Sequence, residues 1–453
     1  MAENKMGVMP VKKLIVNMSL PMMASMLVQA LYNVVDSVFV SRFDGSYALT
    51  AVTLAFPMQN LMFSLAGGTA VGINALLSKS LGERNFERVD KTANNGILIT
   101  FLSSFIFILG GLLIAKPFIA SQTDNAKVLE YGTSYLRIVM IICVGLYFQV
   151  ILERLLQSTG LTFYSMISQM SGALINIIFD PIMIFGLFGF PRLGVAGAAW
   201  ATVLGQCCAA LISLFLNLKF NKEIHISVKG ILSPDTWIIG RIYAVGIPSF
   251  LMIGIGSIMT FSMNMILKVY GGIAQAVFGA YFKLQSFLFM PIFGLNNGVI
   301  PVLAFNYGAR RKDRIDEALR FSMTLAVTIM LIGTVVMETI PGTLLSLFNA
   351  SEEMLKVGIP ALRIIGIHFP LAGASIVMGS IFQAFSRSIY SLFISVTRQL
   401  LVLVPAAFLL SKLVGLDGVW FAFPVAEVAS LIASVIFFRK VYAEVAAEMA
   451  KAQ

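Results

Sequence analysis

Histidine and cysteine are nearly missing from this chain, with two and three copies in 453 residues. That excludes a disulfide framework. It also leaves no metal-ligand spacing and no Cys–His pair for nucleophilic catalysis. Cys143, Cys207 and Cys208 fall in apolar stretches and read as small buried hydrophobes, while His225 and His368 read as structural. Charge is scarce as well. Asp, Glu, Lys and Arg make up 12% of the chain, against about 25% in an ordinary soluble domain. A soluble globular fold is therefore excluded, and no catalytic set of acids, bases and nucleophiles at motif spacing is present, so no enzyme is expected.

What fills the chain instead is apolar sequence, 58% of all residues. Twelve stretches of membrane-spanning length stand at about 14–40, 48–75, 94–115, 133–155, 161–187, 194–218, 237–268, 275–303, 318–340, 358–384, 388–412 and 416–438. Irregular backbone cannot face lipid, and barrel-type alternation is absent, so each stretch is expected to be a helix. The longest connection, 219–236, is too short for a further domain. The first stretch is long enough to stay as a helix, and no cleavable leader pattern precedes it. The expected fold is an all-α polytopic membrane protein of twelve transmembrane helices.

The net charge of +10 is a matter of topology. With the N-terminus placed inside, 21 Lys and Arg fall in inner loops and seven in outer ones. By the positive-inside rule both termini are cytoplasmic, in the inner membrane, and the bilayer rather than nucleic acid is the partner.

The chain is also written twice. LGERNFERVDK at 81–91 returns as YGARRKDRIDE at 307–317, so Gly82, Arg84, Arg88 and Asp90 meet Gly308, Arg310, Arg314 and Asp316 at one offset of 226 residues. Gly68 and Gly294, Gly72 and Gly298, and Gln157 and Gln383 share that offset, and Pro21 and Pro248 match at 227. Two six-helix halves, 1–222 and 223–453, form two pseudo-symmetric bundles, an N-lobe and a C-lobe. The plain reading of Arg84, Arg88 and their copies is contact with lipid phosphates.

One run departs from apolar monotony: LINIIFDPIMIFG at 174–186 carries Asn176, Asp180 and Pro181 inside a span. Asn176 and Asp180 share a helix face, as do Tyr32 and Asp36 on the first span, and Thr202 lies at similar depth on the sixth. The second half offers Ala406 or Ala407 opposite Asp180, Val402 or Leu403 opposite Asn176, and Ser262 or Met263 opposite Asp36. The polar cluster is thus expected in the first half alone. A carboxylate at a helix centre costs about 2.5–3.5 kcal/mol to insert. Two neighbouring ones cannot both stay ionised without a cation, so the site takes a proton or a metal ion. Pro21 and Pro181, each removing a helical hydrogen bond, are candidate bending points. In the second half Lys283, Gln285 and Glu427 are intramembrane polar groups that could line a substrate path, with Lys283 a candidate ion-pair partner of Glu427.

YNVVDSVFVSRF at 32–43, LINIIFDPIMIFG at 174–186, GVAGAAWATVLGQ at 194–206 and the paired GER and GAR loops resemble the MATE (multidrug and toxic compound extrusion) family over nearly the whole chain. The resemblance implies a monomeric antiporter exporting amphipathic organic cations and drugs in exchange for inward H⁺ or Na⁺, with no other cofactor. It implies a cation site of Tyr32, Asp36, Asn176, Asp180 and Thr202, with Na⁺ possible at Asp36 and Asp180, and a bend at Pro21. Relatives of the NorM branch carry acids in helices 7 and 10. Here Asp235 only precedes the seventh span, and the tenth has none, so the resemblance is to the branch coupled through the N-lobe. A lipid-linked oligosaccharide flippase is the alternative of similar architecture.

Overall fold

In the computed structural model, which describes residues 4–348 and 350–450, each apolar stretch is helical. Lys451, one of the inner basic residues counted above, lies outside the described residues. Ten helices are long and apolar enough to cross a membrane singly: Val11–Asp44, Tyr47–Gly82, Phe86–Leu113, Thr162–Phe185, Val195–Phe220, Thr236–Lys268, Gly272–Gly308, Lys312–Thr339, Ser388–Val414 and Leu416–Ala450. Two bent pairs complete the count of twelve spans. Ala126–Ile141 with Val144–Ser158 turns by 46°, and Glu352–Gly366 with Phe369–Ala384 by 47°. These are the fourth and tenth spans.

The helices outrun their hydropathy. The first two reach 34 and 36 residues, because helical hydrogen bonding continues through polar ends that hydrocarbon does not cover. The breaks in the fourth and tenth spans were not expected. They fall at Ile142–Cys143 and Ile367–His368, at the offset of the sequence repeat. Backbone conformation repeats too. The left-handed residues Arg84 (φ 58°), Gly160 (φ 93°) and Gly189 (φ 84°) recur as Arg310 (φ 57°), Ser386 (φ 59°) and Gly415 (φ 82°), each 226 residues on. A non-glycine residue adopts that conformation rarely, so its return in the matching loop, twice at arginine, carries the duplication from sequence into structure.

The expectation that all four loop arginines face lipid phosphates fails for Arg314. Its guanidinium is buried and donates to the carbonyls of Met6 (3.0 Å) and Met9 (2.8 Å) and to Asn306 Oδ1 (3.0 Å). It is spent on the backbone of the segment ahead of the first span. Arg88, its copy, instead meets Glu83 Oε2 at 2.7 Å and lies over the Trp237 ring.

Contacts divide the chain into two compact units that differ from the sequence repeats. One holds the leading segment up to Met23 and everything from Pro248 onward, and the other holds Ala24–Ile247. The changeover falls inside the first and seventh spans, beside Pro21 and Pro248. Glycine makes each packing possible. In the first unit a Cβ on Gly298 would meet the Ser19 backbone at 2.7 Å, and one on Gly294 the Met23 backbone at 2.6 Å. In the second unit Gly72 lies against the backbone of Ile242, and Gly246 against the Gly68 carbonyl at 3.0 Å.

Candidate functional site

The site is assembled inside the second unit by the packing of the fifth and sixth spans. Gly172 and Gly205 let those helices touch: a Cβ on either would meet the other's carbonyl oxygen at 3.0 or 2.6 Å. That approach brings Asn176 to Thr202. The Thr202 N–H can only donate, so the Asn176 carbonyl oxygen faces it at 3.2 Å and accepts from the hydroxyl at 3.3 Å. The Asn176 amide nitrogen then donates to Asp180 Oδ2 at 3.2 Å. One face of the fifth helix and one residue of the sixth thereby hold Asp180 in place.

Asp180 is fully buried, and the Asp36 carboxyl faces it within hydrogen-bonding reach. Tyr32, one turn before Asp36, lies in electrostatic contact with both acids. All five residues expected to form the site are brought together. Asp36 Oδ1 and Asp180 Oδ1 are buried and have no hydrogen-bond partner among the described residues. Two carboxyl groups facing each other present only acceptors when ionised, so the pair calls for a proton or a cation between them. Pro181 follows directly. It has no N–H to return to the Ile177 carbonyl, so the helix is weakened at the acid itself. The helix stops five residues later at Gly186, which is left-handed at φ 74°. Pro21 lies outside this cluster, near the changeover between units.

Two members of the site were missed in the sequence. Tyr135, buried on the fourth span, is in electrostatic contact with Asp36, Tyr32 and Asp180, and its hydroxyl accepts from Gln59 Nε2 at 3.2 Å. The only available signal was a tyrosine and a glutamine in apolar spans, which share no spacing with the acids because they arrive on other helices.

The second half corrects two expectations. Lys283 does not pair with Glu427. It is exposed, with its ammonium 6.0 Å from the Phe348 ring centre, and Gln285 is part-buried beside it in the chain. The partner of Glu427 is Arg398, Nη1 to Oε2 at 3.4 Å. Nor is buried charge confined to the first half, although the positions matching Asp36, Asn176 and Asp180 do lack acids. Glu427 is buried with Arg398, His368 and Tyr281 in electrostatic contact. Arg398 sits in Thr397–Leu403, a π-helical stretch. Such a stretch shifts side chains out of 3.6-residue register, so counting from the repeat could not align it with Glu427.

A family model described as MatE matches twice, over residues 21–182 and 248–409, with starts and ends each 227 residues apart. The chain belongs to the MatE family. MatE proteins are transporters, and this chain is therefore no enzyme. It is 25% identical to the multidrug export protein MepA of Staphylococcus aureus over 427 residues, covering 94% of this chain and 93% of MepA. MepA of Staphylococcus haemolyticus matches at 25% over 92% of this chain and 90% of its own. An outward-facing multidrug resistance MATE transporter is similar in structure at TM-score 0.92 and 26% identity, covering 98% and 99% of the two chains. A transporter from Pyrococcus furiosus described as having a binding pocket of reversed polarity matches at 0.90 and 26%, over 97% and 98%. As a multi-pass MatE protein with these bacterial relatives, the chain resides in the cell membrane. The flippase alternative is not favoured, since the Arg398 cation it would need for pyrophosphate is matched by Glu427.

Proposed function

We propose that this protein is an efflux antiporter that expels amphipathic organic cations while protons run inward through Asp36 and Asp180. The observation that carries the reading is the facing pair of carboxyls, each with a buried, unpartnered Oδ1. Binding a proton converts one acceptor into a donor and joins the pair. Losing it restores repulsion between two charges in a low-dielectric interior. Tyr32, Tyr135, Asn176 and Thr202 surround the pair with oxygen and amide groups that respond to its charge. Pro181 and Pro21 are the points at which the fifth and first spans bend as it changes.

The orientation rests on the 21 inner against seven outer basic residues, which put both termini in the cytoplasm. Multidrug export by the MepA relatives supports drugs as cargo. The 24 methionines and 36 phenylalanines supply flexible apolar contact for varied molecules. Glu427, buried and held by one oxygen only, is the candidate cation counterpart on the substrate path. The deciding experiment is drug efflux from proteoliposomes carrying a pH gradient or a sodium gradient, each alone. Efflux driven by the pH gradient alone is expected, and efflux driven only by sodium would replace the proton by Na⁺ at the same pair.

A further inference from the structure

A second buried carboxylate in the first half has gone unused so far. Glu153, near the end of the fourth span, is 5% exposed. Its Oε1 accepts from Gln149 Nε2 at 3.1 Å and lies 3.1 Å from Ser168 Oγ on the fifth span. Ser168 Oγ is also 2.8 Å from the Ala209 carbonyl oxygen and 2.5 Å from Ser213 Oγ on the sixth. Arg154 is its one charged neighbour among the described residues, and the third, fifth and sixth spans bring no titratable group onto it.

Counting hydrogens decides the protonation state. The Ser168 hydroxyl owns one proton and can accept two. If Glu153 is ionised, that proton is claimed by both the carboxylate and the Ala209 carbonyl, and one close contact becomes lone pair against lone pair. If Glu153 carries a proton, every contact is filled: Glu153 donates to Ser168, Ser168 to the Ala209 carbonyl, and Ser213 to Ser168. The acceptor Ser168 stands on the same helix face as Gly172, Asn176 and Asp180, at steps of four residues. It is twelve residues from Asp180, about 18 Å along the helix, toward the end that bears the 82–86 loop.

We propose that Glu153 holds a proton in this conformation and is a second proton-binding site of the first half, releasing its proton to the cytoplasmic end as a carboxylate forms. The step is balanced: the O–H bond of Glu153 breaks, the proton passes to water on that side, and Ser168 turns its own hydrogen from the Ala209 carbonyl to the new carboxylate. The proposal rests on proton coupling at Asp36 and Asp180, but its main test does not.

That test is infrared spectroscopy of the purified full-length protein, reading the carbonyl stretch of protonated carboxyl groups. Glu153→Gln is expected to remove one such band, and Ser168→Ala to shift it, since the proton loses its acceptor. The band is expected to persist in Asp36→Asn and Asp180→Asn, whichever ion the outer pair uses. A Glu153→Gln spectrum identical to wild type would overturn the proposal, as would an unmoved band in Ser168→Ala if the first variant does not fold. In proteoliposomes Glu153→Gln should still bind ethidium but lose most of the pH dependence of its efflux. Loss of the band with an unchanged pH profile would remove Glu153 from the transport cycle.

Discussion

Arg398 reaches the buried Glu427 across two helices, Nη1 to Oε2 at 3.4 Å, while keeping 30% of its own side chain exposed against 3% for its partner. The pair is unequal. Removing the arginine strands a carboxylate in the interior, whereas removing the acid leaves an arginine that can turn outward. Breaking a fully buried pair costs about 3–5 kcal/mol, and partial exposure reduces that figure here. Arg398→Gln should therefore melt at a lower temperature in detergent than Glu427→Gln, and the opposite order would show that the pair is held for another reason.

Glu427→Gln is expected to change which compounds leave the cell without ending export. The measurement is resistance to a panel of cationic and neutral drugs. A profile matching wild type for every compound would take Glu427 off the substrate path.

For Asp36→Asn and Asp180→Asn the expectation is loss of ethidium extrusion from everted vesicles, with normal insertion and a sharp size-exclusion peak. Asparagine keeps the shape and removes the exchangeable charge. Wild-type efflux by either variant would exclude the pair as the coupling site.

Packing gives a contrast between glycines. Gly298→Val has no room against the Ser19 backbone, so folded protein in the membrane should fall sharply. Gly240 has nothing within 4 Å of an added Cβ. Gly240→Ala should leave yield unchanged and add up to about 1 kcal/mol from helix propensity. Equal yields from the two variants would refute the close approach.

Arg314→Gln removes the donors that fasten the Met6 and Met9 carbonyls. Hydrogen exchange of amides near residues 5–14 should quicken, with the remaining spans unaffected. Unchanged exchange there would mean that the Asn306 contact to Met6 suffices.

The spans and the duplication were legible because both depend on properties that survive in one dimension: apolar length fixed by bilayer thickness, and a constant offset between copies. The five residues from Tyr32 to Thr202 were legible for a related reason, since polar groups in hydrocarbon are costly enough to stand out singly. Tyr135 and Gln59 were not, because a lone polar side chain on each of two other helices announces no partner. Glu153 was hidden by its neighbour, as Arg154 read as part of the basic inner rim. Arg398 and Glu427 were each visible, but a π-helical stretch broke the register that would have joined them. The breaks in the fourth and tenth spans left no mark in hydropathy, which measures composition and is blind to direction.

The changeover at Pro21 and Pro248 bears on how such a chain could arise. Each unit contains the opening stretch of the other repeat's first span, so a single repeat cannot complete a unit from its own residues. An ancestor half this length would have had to lend that stretch to a second copy and borrow one back. Joining the two genes made the exchange permanent within one polypeptide.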